Sequence, residues 1–169
     1  MSPADGRPGE RSAGRRASDG KKRGGAKSAS GSNHKMTIRS DYMDAREVQR
    51  LIREEVEKAG YDPDTQFGIK LALEEAIINA IKHGNKLSKD KRVHVEWTIT
   101  PESAQIIIED EGPGFDRSSV PDPTQSGNLE KLTGRGILLI ESYMSSVQWS
   151  KGGRRVKLVK KNPGVAKSA

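Results

Sequence analysis

Apolar side chains along this chain recur at two spacings. Val48, Leu51, Ile52 and Val56 share one stripe at about 100° per residue, which predicts a helix capped by Ser40 or Asp41 and running to about Lys58. Ala59-Gly60 ends it. Asp62-Pro63-Asp64 opens a second helix, with Asp62 as N-cap and Pro63 in the first turn, and this helix continues to His83. Leu73, Ile77, Ala80 and Ile81 form its core-facing stripe. Glu75, Asn79 and His83 lie opposite, stacked at i, i+4 with Cα atoms roughly 6 Å apart per step. Gly84, lacking a Cβ, suits a left-handed cap. Taken alone, the Glu75 stripe reads as the solvated side of an amphipathic helix.

The second spacing is two. Val93, Val95, Trp97 and Ile99 alternate with polar residues, as in a strand with one buried face, and Pro101-Glu102-Ser103 turns the chain into a second strand over Ala104 to Glu109. Met36 to Arg39 is a short first strand. Residues 116 to 132 have little periodicity and much Ser, Pro, Asp and Gly, as lids and binding loops do. From Gly134 the pattern is helical again through Ile137 to Tyr143. Ser145 to Ser150 and Arg154 to Lys161 form a closing hairpin around Lys151-Gly152-Gly153, whose basic side chains suit a solvated edge.

Composition adds exclusions. With no cysteine, disulfides, thiolate metal sites and cysteine nucleophiles are ruled out. No apolar run approaches the roughly 20 residues of a membrane helix, and the basic start has no apolar core of a secretory signal, so a cytoplasmic protein with no membrane partner is expected. The net charge of +7 is a property of one end: residues 1 to 35 hold nine Lys or Arg against three Asp or Glu, whereas residues 36 to 162 hold twenty of each. This divides the 169 residues into a disordered basic tail over 1–35, one domain over 36–161 and a flexible end over 162–169. The tail can touch nucleic acid through phosphate charge, while the neutral domain gives no such signal.

Two glycine-bearing segments, Asp110-Glu111-Gly112-Pro113-Gly114-Phe115 and Thr133-Gly134-Arg135-Gly136, turn the polar stripe toward chemistry. Magnesium prefers oxygen ligands and keeps several waters, so the Asn79 carboxamide with phosphate oxygens suffices to hold it. Glu75, one turn earlier, can accept or orient a proton from water or a hydroxyl nucleophile. Asp110, when ionised, only accepts hydrogen bonds, which suits the exocyclic amine of adenine. Gly112 and Gly114 let backbone approach a ring, and Gly134 to Gly136 before a helix would aim backbone N–H groups at phosphate. Arg135 and Lys131 are candidates for the terminal phosphate. Each signal is weak alone; their order and spacing are specific.

That arrangement resembles the ATP-binding domain of the GHKL superfamily, which includes gyrase, histidine kinases and mismatch-repair ATPases. Glu75 to Gly84 matches its N box, Asp110 to Gly114 its G1 box and Thr133 to Gly136 its G2 box. Within it, Glu-Ala-Ile-Ile-Asn-Ala-Ile-Lys-His-Gly-Asn, Asp-Glu-Gly-Pro-Gly-Phe and Gly-Arg-Gly-Ile-Leu-Leu-Ile look like the bacterial anti-sigma-factor serine/threonine kinases of partner-switching systems. The resemblance implies an α/β Bergerat fold, a sandwich with helices on one face of a mixed, largely antiparallel sheet, binding ATP and Mg2+. It makes Asn79 the metal ligand, Glu75 the catalytic base and Asp110 the adenine reader. His83, Gly84, Gly112, Gly114, Phe115, Lys131, Thr133, Gly134, Arg135 and Gly136 would line the nucleotide pocket. The implied substrate is a serine or threonine of a STAS-type anti-anti-sigma protein, the second partner a sigma factor, and the assembly a homodimer. A partner-sequestering module that binds nucleotide without kinase activity is the alternative. A histidine-kinase catalytic domain would need a phosphoacceptor histidine on a dimerisation helix, and nothing before residue 36 resembles one.

Overall fold

The computed structural model describes residues 31–114 and 135–166, all but the side chain of Ala166. Five strands form one sheet in the order β1-β2-β3-β5-β4: β1 Asn33–Arg39, β2 Arg92–Ile99, β3 Ser103–Asp110, β4 Ser146–Ser150 and β5 Arg155–Lys161. Among the described residues each of the four pairings is antiparallel, where a mixed, largely antiparallel sheet was expected. Short connections explain much of this, since β2–β3 and β4–β5 are hairpins with no room for the long crossover that a parallel pair requires.

The period-two pattern sorts the faces as predicted. Val93, Val95, Trp97 and Ile99 of β2, Ala104, Ile106 and Ile108 of β3, and Val156 and Leu158 of β5 are buried in one core with the helices. Helix α1, Tyr42–Lys58, contributes Ala45, Val48, Ile52 and Val56, with Leu51 only partly buried beside them. Asp41, not Ser40, caps it: the Asp41 carboxylate accepts from Met43 N at 2.7 Å. Helix α2, Pro63–Ile78, starts as expected, with Asp62 accepting from Thr65 N at 2.9 Å and from the Thr65 hydroxyl at 2.6 Å. These bonds hold the Asp62 carboxyl below its ordinary range. Helix α3, Arg135–Tyr143, turns Ile137 and Ile140 inward, and a short α4, Pro163–Ala166, follows β5.

Four boundaries differ from the sequence reading. Strand β1 begins at Asn33, inside the stretch assigned to the tail, because His34 stacks on Trp97 with ring centroids 5.3 Å apart and planes 15° from parallel. The chain after Lys161 is not free at once: Asn162 is buried, donating from N to Glu102 O and from Nδ2 to Pro101 O, both at 2.8 Å. The closing hairpin does lie at one side of the sheet, but its outer strand is β4, while β5, which carries most of the basic residues, is paired between β3 and β4. Lys151 and Arg155 pair with Glu109 at 2.6 and 2.7 Å, and Lys160 Nζ donates to Tyr143 O. Burial pushes the Glu109 carboxyl up, but those two cations outweigh it and hold it below its ordinary range.

The fourth difference positions the site. After Ile78 the helix widens into a π-helical segment, Asn79–Gly84, closed by Asn85 N donating to Ala80 O at 2.8 Å, five residues back. Gly84 is not in the left-handed region. That conformation falls on Lys86 and Leu87 instead, with φ of 54° and 57°.

Candidate functional site

Asn79 still belongs to the α-helical ladder, its N–H donating back to Glu75 O and Ala76 O, so Glu75 and Asn79 sit one turn apart as their spacing requires. Both side chains are half-buried. The first turn of α3 arrives over them: a methyl group at Gly136 would lie 2.5 Å from Glu75 Oε2 and 3.7 Å from Asn79 Nδ2. A carboxylate, a carboxamide and the positive end of a nine-residue helix therefore converge. Arg135 opens α3 and is exposed. His83 does not continue the stripe. It lies in the π-helical segment and is exposed, whereas Glu75 and Asn79 are half-buried.

The second half of the site is built at the end of β3. Asp110 is 7% exposed, and its Oδ1 accepts from Gly112 N at 2.8 Å. Burial pushes its carboxyl up from the ordinary range, against the pull of the Gly112 N–H and the charges of Arg154 and Lys91. Gly84 lies directly against that carboxylate, and Gly112 lies against the Gly84 carbonyl, so a Cβ on either glycine would collide. The bare backbone is what lets the helix end and the strand end touch. Gly114, with φ of +83°, packs likewise against the Gly152 carbonyl of the β4–β5 turn.

Periodicity could not single out Asn85. Its side chain is fully buried, with Nδ2 donating to Arg92 O at 2.8 Å and Oδ1 accepting from Glu111 N at 2.9 Å. Glu111 in turn accepts from Arg92 N at 2.8 Å and lies 3.2 Å from His94 Nε2; the backbone bond, then the His94 contact, hold its carboxyl low. The only sequence hint was an Asn directly after the terminal glycine of the helix. Phe115, Lys131, Thr133 and Gly134, like the lid-like stretch 116–132, lie outside the described residues.

The residues present fit a magnesium nucleotide. Asn79 offers one carboxamide oxygen beside the acidic Glu75, which suits a hard cation that takes its other ligands from water and phosphate. Gly136 brings the backbone of α3 against the Glu75 carboxylate and close to Asn79. Among the described residues, no helix is long and apolar enough to cross a membrane.

A one-layer antiparallel sheet backed by helices, with a Glu–Asn pair, a buried strand-end aspartate and glycine approaches on both sides, defines a nucleotide-binding domain of the ATPase and kinase kind. The chain belongs to the histidine kinase-like ATPase domain family, whose model matches residues 38–160. Among curated proteins it is similar to the serine-protein kinase RsbW of Listeria monocytogenes, 28% identical over 97 residues that cover 54% of this chain and 62% of the relative. RsbW of Bacillus subtilis is 29% identical over 97 residues, covering 54% and 61%, and the anti-sigma F factor of Clostridium perfringens is 32% identical over 97 residues, covering 55% and 69%. The matched region thus spans about three fifths of the length of the RsbW relatives. A solved structure of the RsbU and RsbW domains of a Mycobacterium tuberculosis protein shares the fold, with a TM-score of 0.50 at 17% identity, covering 78% of this chain and 31% of that one.

Proposed function

We propose that the protein is an ATP-dependent serine/threonine protein kinase of a partner-switching system, which phosphorylates a STAS-type anti-anti-sigma protein and, as a homodimer, holds a sigma factor inactive. The observation that carries this reading is the convergence of Glu75, Asn79 and the first turn of α3, where Gly136 packs against the Glu75 carboxylate and so sets a proton acceptor and a metal ligand beside a helix N-terminus. The relatives named as serine-protein kinases and as an anti-sigma factor support it.

Bound magnesium ATP would supply the phosphoryl group and the neutralisation of its charge. Asn79 would hold the metal through its carboxamide oxygen. Asp110 accepts the exocyclic amine of adenine, with Gly84 and Gly112 keeping the base close to backbone. The first N–H groups of α3 face the phosphates, and Arg135 and Lys131 lie in the sequence where the terminal phosphate would be held. Glu75 takes the proton from the substrate hydroxyl as that oxygen gains the phosphoryl group and ADP leaves.

The test is transfer of labelled phosphate from ATP to a STAS-domain protein encoded near the chain's own gene, with a sigma-factor pull-down in parallel. Acid-stable label on serine or threonine, lost in Glu75→Ala, is the expected result. Stoichiometric capture of partners with no labelled product would instead make the protein a nucleotide-binding sequestering regulator. Acid-labile label would place it with the histidine kinases.

A further inference from the structure

Asn85 uses all four of its polar atoms. Its N donates to Ala80 O at 2.8 Å, its O accepts from Ser88 N at 3.1 Å, its Nδ2 donates to Arg92 O and its Oδ1 accepts from Glu111 N. The orientation of the carboxamide is not arbitrary, since one partner is a carbonyl and the other an N–H. The residue is fully buried, where an orphaned partner is costly. One side chain therefore ties together the end of the π-helical segment, the start of β2 and the turn that follows β3.

We infer that Asn85 is a positioning residue that sets the adenine-binding floor. Glu111, whose N–H it holds, lies between Asp110 and Gly112. Those two residues are joined by the bond from Gly112 N to Asp110 Oδ1, and both pack against Gly84, the neighbour of Asn85. The carboxamide is thus a strut across the gap that Gly84 and Gly112 close by direct contact. Without it, the turn over 110–112 keeps the bonds from Asp110 N to Arg154 O and from Arg92 N to the Glu111 carboxylate, but loses the tie that holds Glu111 against the helix end beside Gly84, so that the Asp110 carboxylate shifts out of register with a base. Gly136 is held by α3, and Asn79, at the far end of the π-helical segment, is held by its bonds back to Glu75 O and Ala76 O of α2, so neither rests on the Asn85 carboxamide. The strut thus governs recognition of the base and not of the phosphates. Because it takes the pocket to be an adenine site, this inference stands on the function proposed above.

The experiment compares binding of ATP and of inorganic tripolyphosphate, each with magnesium, to the full chain and to Asn85→Ala, by calorimetry at a temperature where both are folded. The expected result is an affinity for ATP lowered about tenfold with that for tripolyphosphate unchanged. Equal losses for both ligands, or none for either, would overturn the positioning role. Wild type that binds no ATP would instead sink the proposed function. Hydrogen exchange on wild type needs no variant: a Glu111 amide as protected as that of Ile108 is expected, and rapid exchange there would remove the strut even if Asn85→Ala did not fold.

Discussion

Gly136 stands over the carboxylate of Glu75 with no room for a methyl group between them. The first turn of α3 and the polar stripe of α2 thereby approach so closely that any Cβ at this position would displace the end of the Glu75 side chain. Gly136→Ala must push α3 outward or turn Glu75 aside, and a displacement of that order is worth about a hundredfold in a rate that depends on alignment. Phosphotransfer should fall by that factor with little change in melting temperature, as measured by single-turnover kinetics and thermal denaturation; an unimpaired rate would mean that α3 does not hold the phosphates.

Glu75→Gln keeps the shape of the side chain and removes its basicity. Transfer should drop by roughly 10²- to 10⁴-fold, while ATP affinity measured by calorimetry stays close to that of wild type. Transfer at the wild-type rate would take proton acceptance away from Glu75.

Asp110 works against stability at neutral pH. Its folded carboxyl is raised above the ordinary value, so the charged form is disfavoured in the folded state and costs stability wherever it is ionised; that cost is relieved as pH falls through the folded value. Asp110→Asn retains an oxygen for Gly112 N and carries no charge. It should therefore melt higher than wild type at neutral pH, with the difference shrinking on acidification, while binding ATP roughly ten- to hundredfold more weakly. A variant that melts lower at pH 7 would contradict the burial argument.

The opposite sign holds at the start of α1. Arg39 grips Asp44 with two bonds of 2.8 Å and lowers its carboxyl to about 2. Stability from this pair is present above the unfolded value of about 3.9 and lost as pH falls through about 2. A melting-temperature gap between wild type and Asp44→Asn should be seen at neutral pH and close in that acid window. Because the pair is solvent-exposed, the gap should also narrow in high salt.

Much of this was legible in the residues because burial here is periodic. The strand alternation from Val93 to Ile99, the α1 stripe and the Asp62 cap each followed from a local rule, and the structure bears them out. The Glu75–Asn79 pair was legible for the same reason, one helical turn being a local distance. The π-helical segment that holds His83 was not foreseen because nothing in Asn-Ala-Ile-Lys-His-Gly distinguishes a π-helical turn from an α-helical one. The position of β5 inside the sheet depends on its pairing with β3, many residues away, which charge along the strand cannot report. Asn85 escaped because a buried amide that serves two backbone partners leaves no pattern at all.

The widened turn over Asn79–Gly84 makes chain length itself a determinant of the pocket. Deleting one residue between Ile81 and Gly84 would let the segment tighten into an ordinary helix, which is easier to form. Ile81 would keep its place in the core, but everything after it would arrive one position early, with Asn85 presenting a side chain where Gly84 now meets Asp110. The spare residue works as a spacer, and its loss would close the floor of the site without altering any of the residues that carry the chemistry.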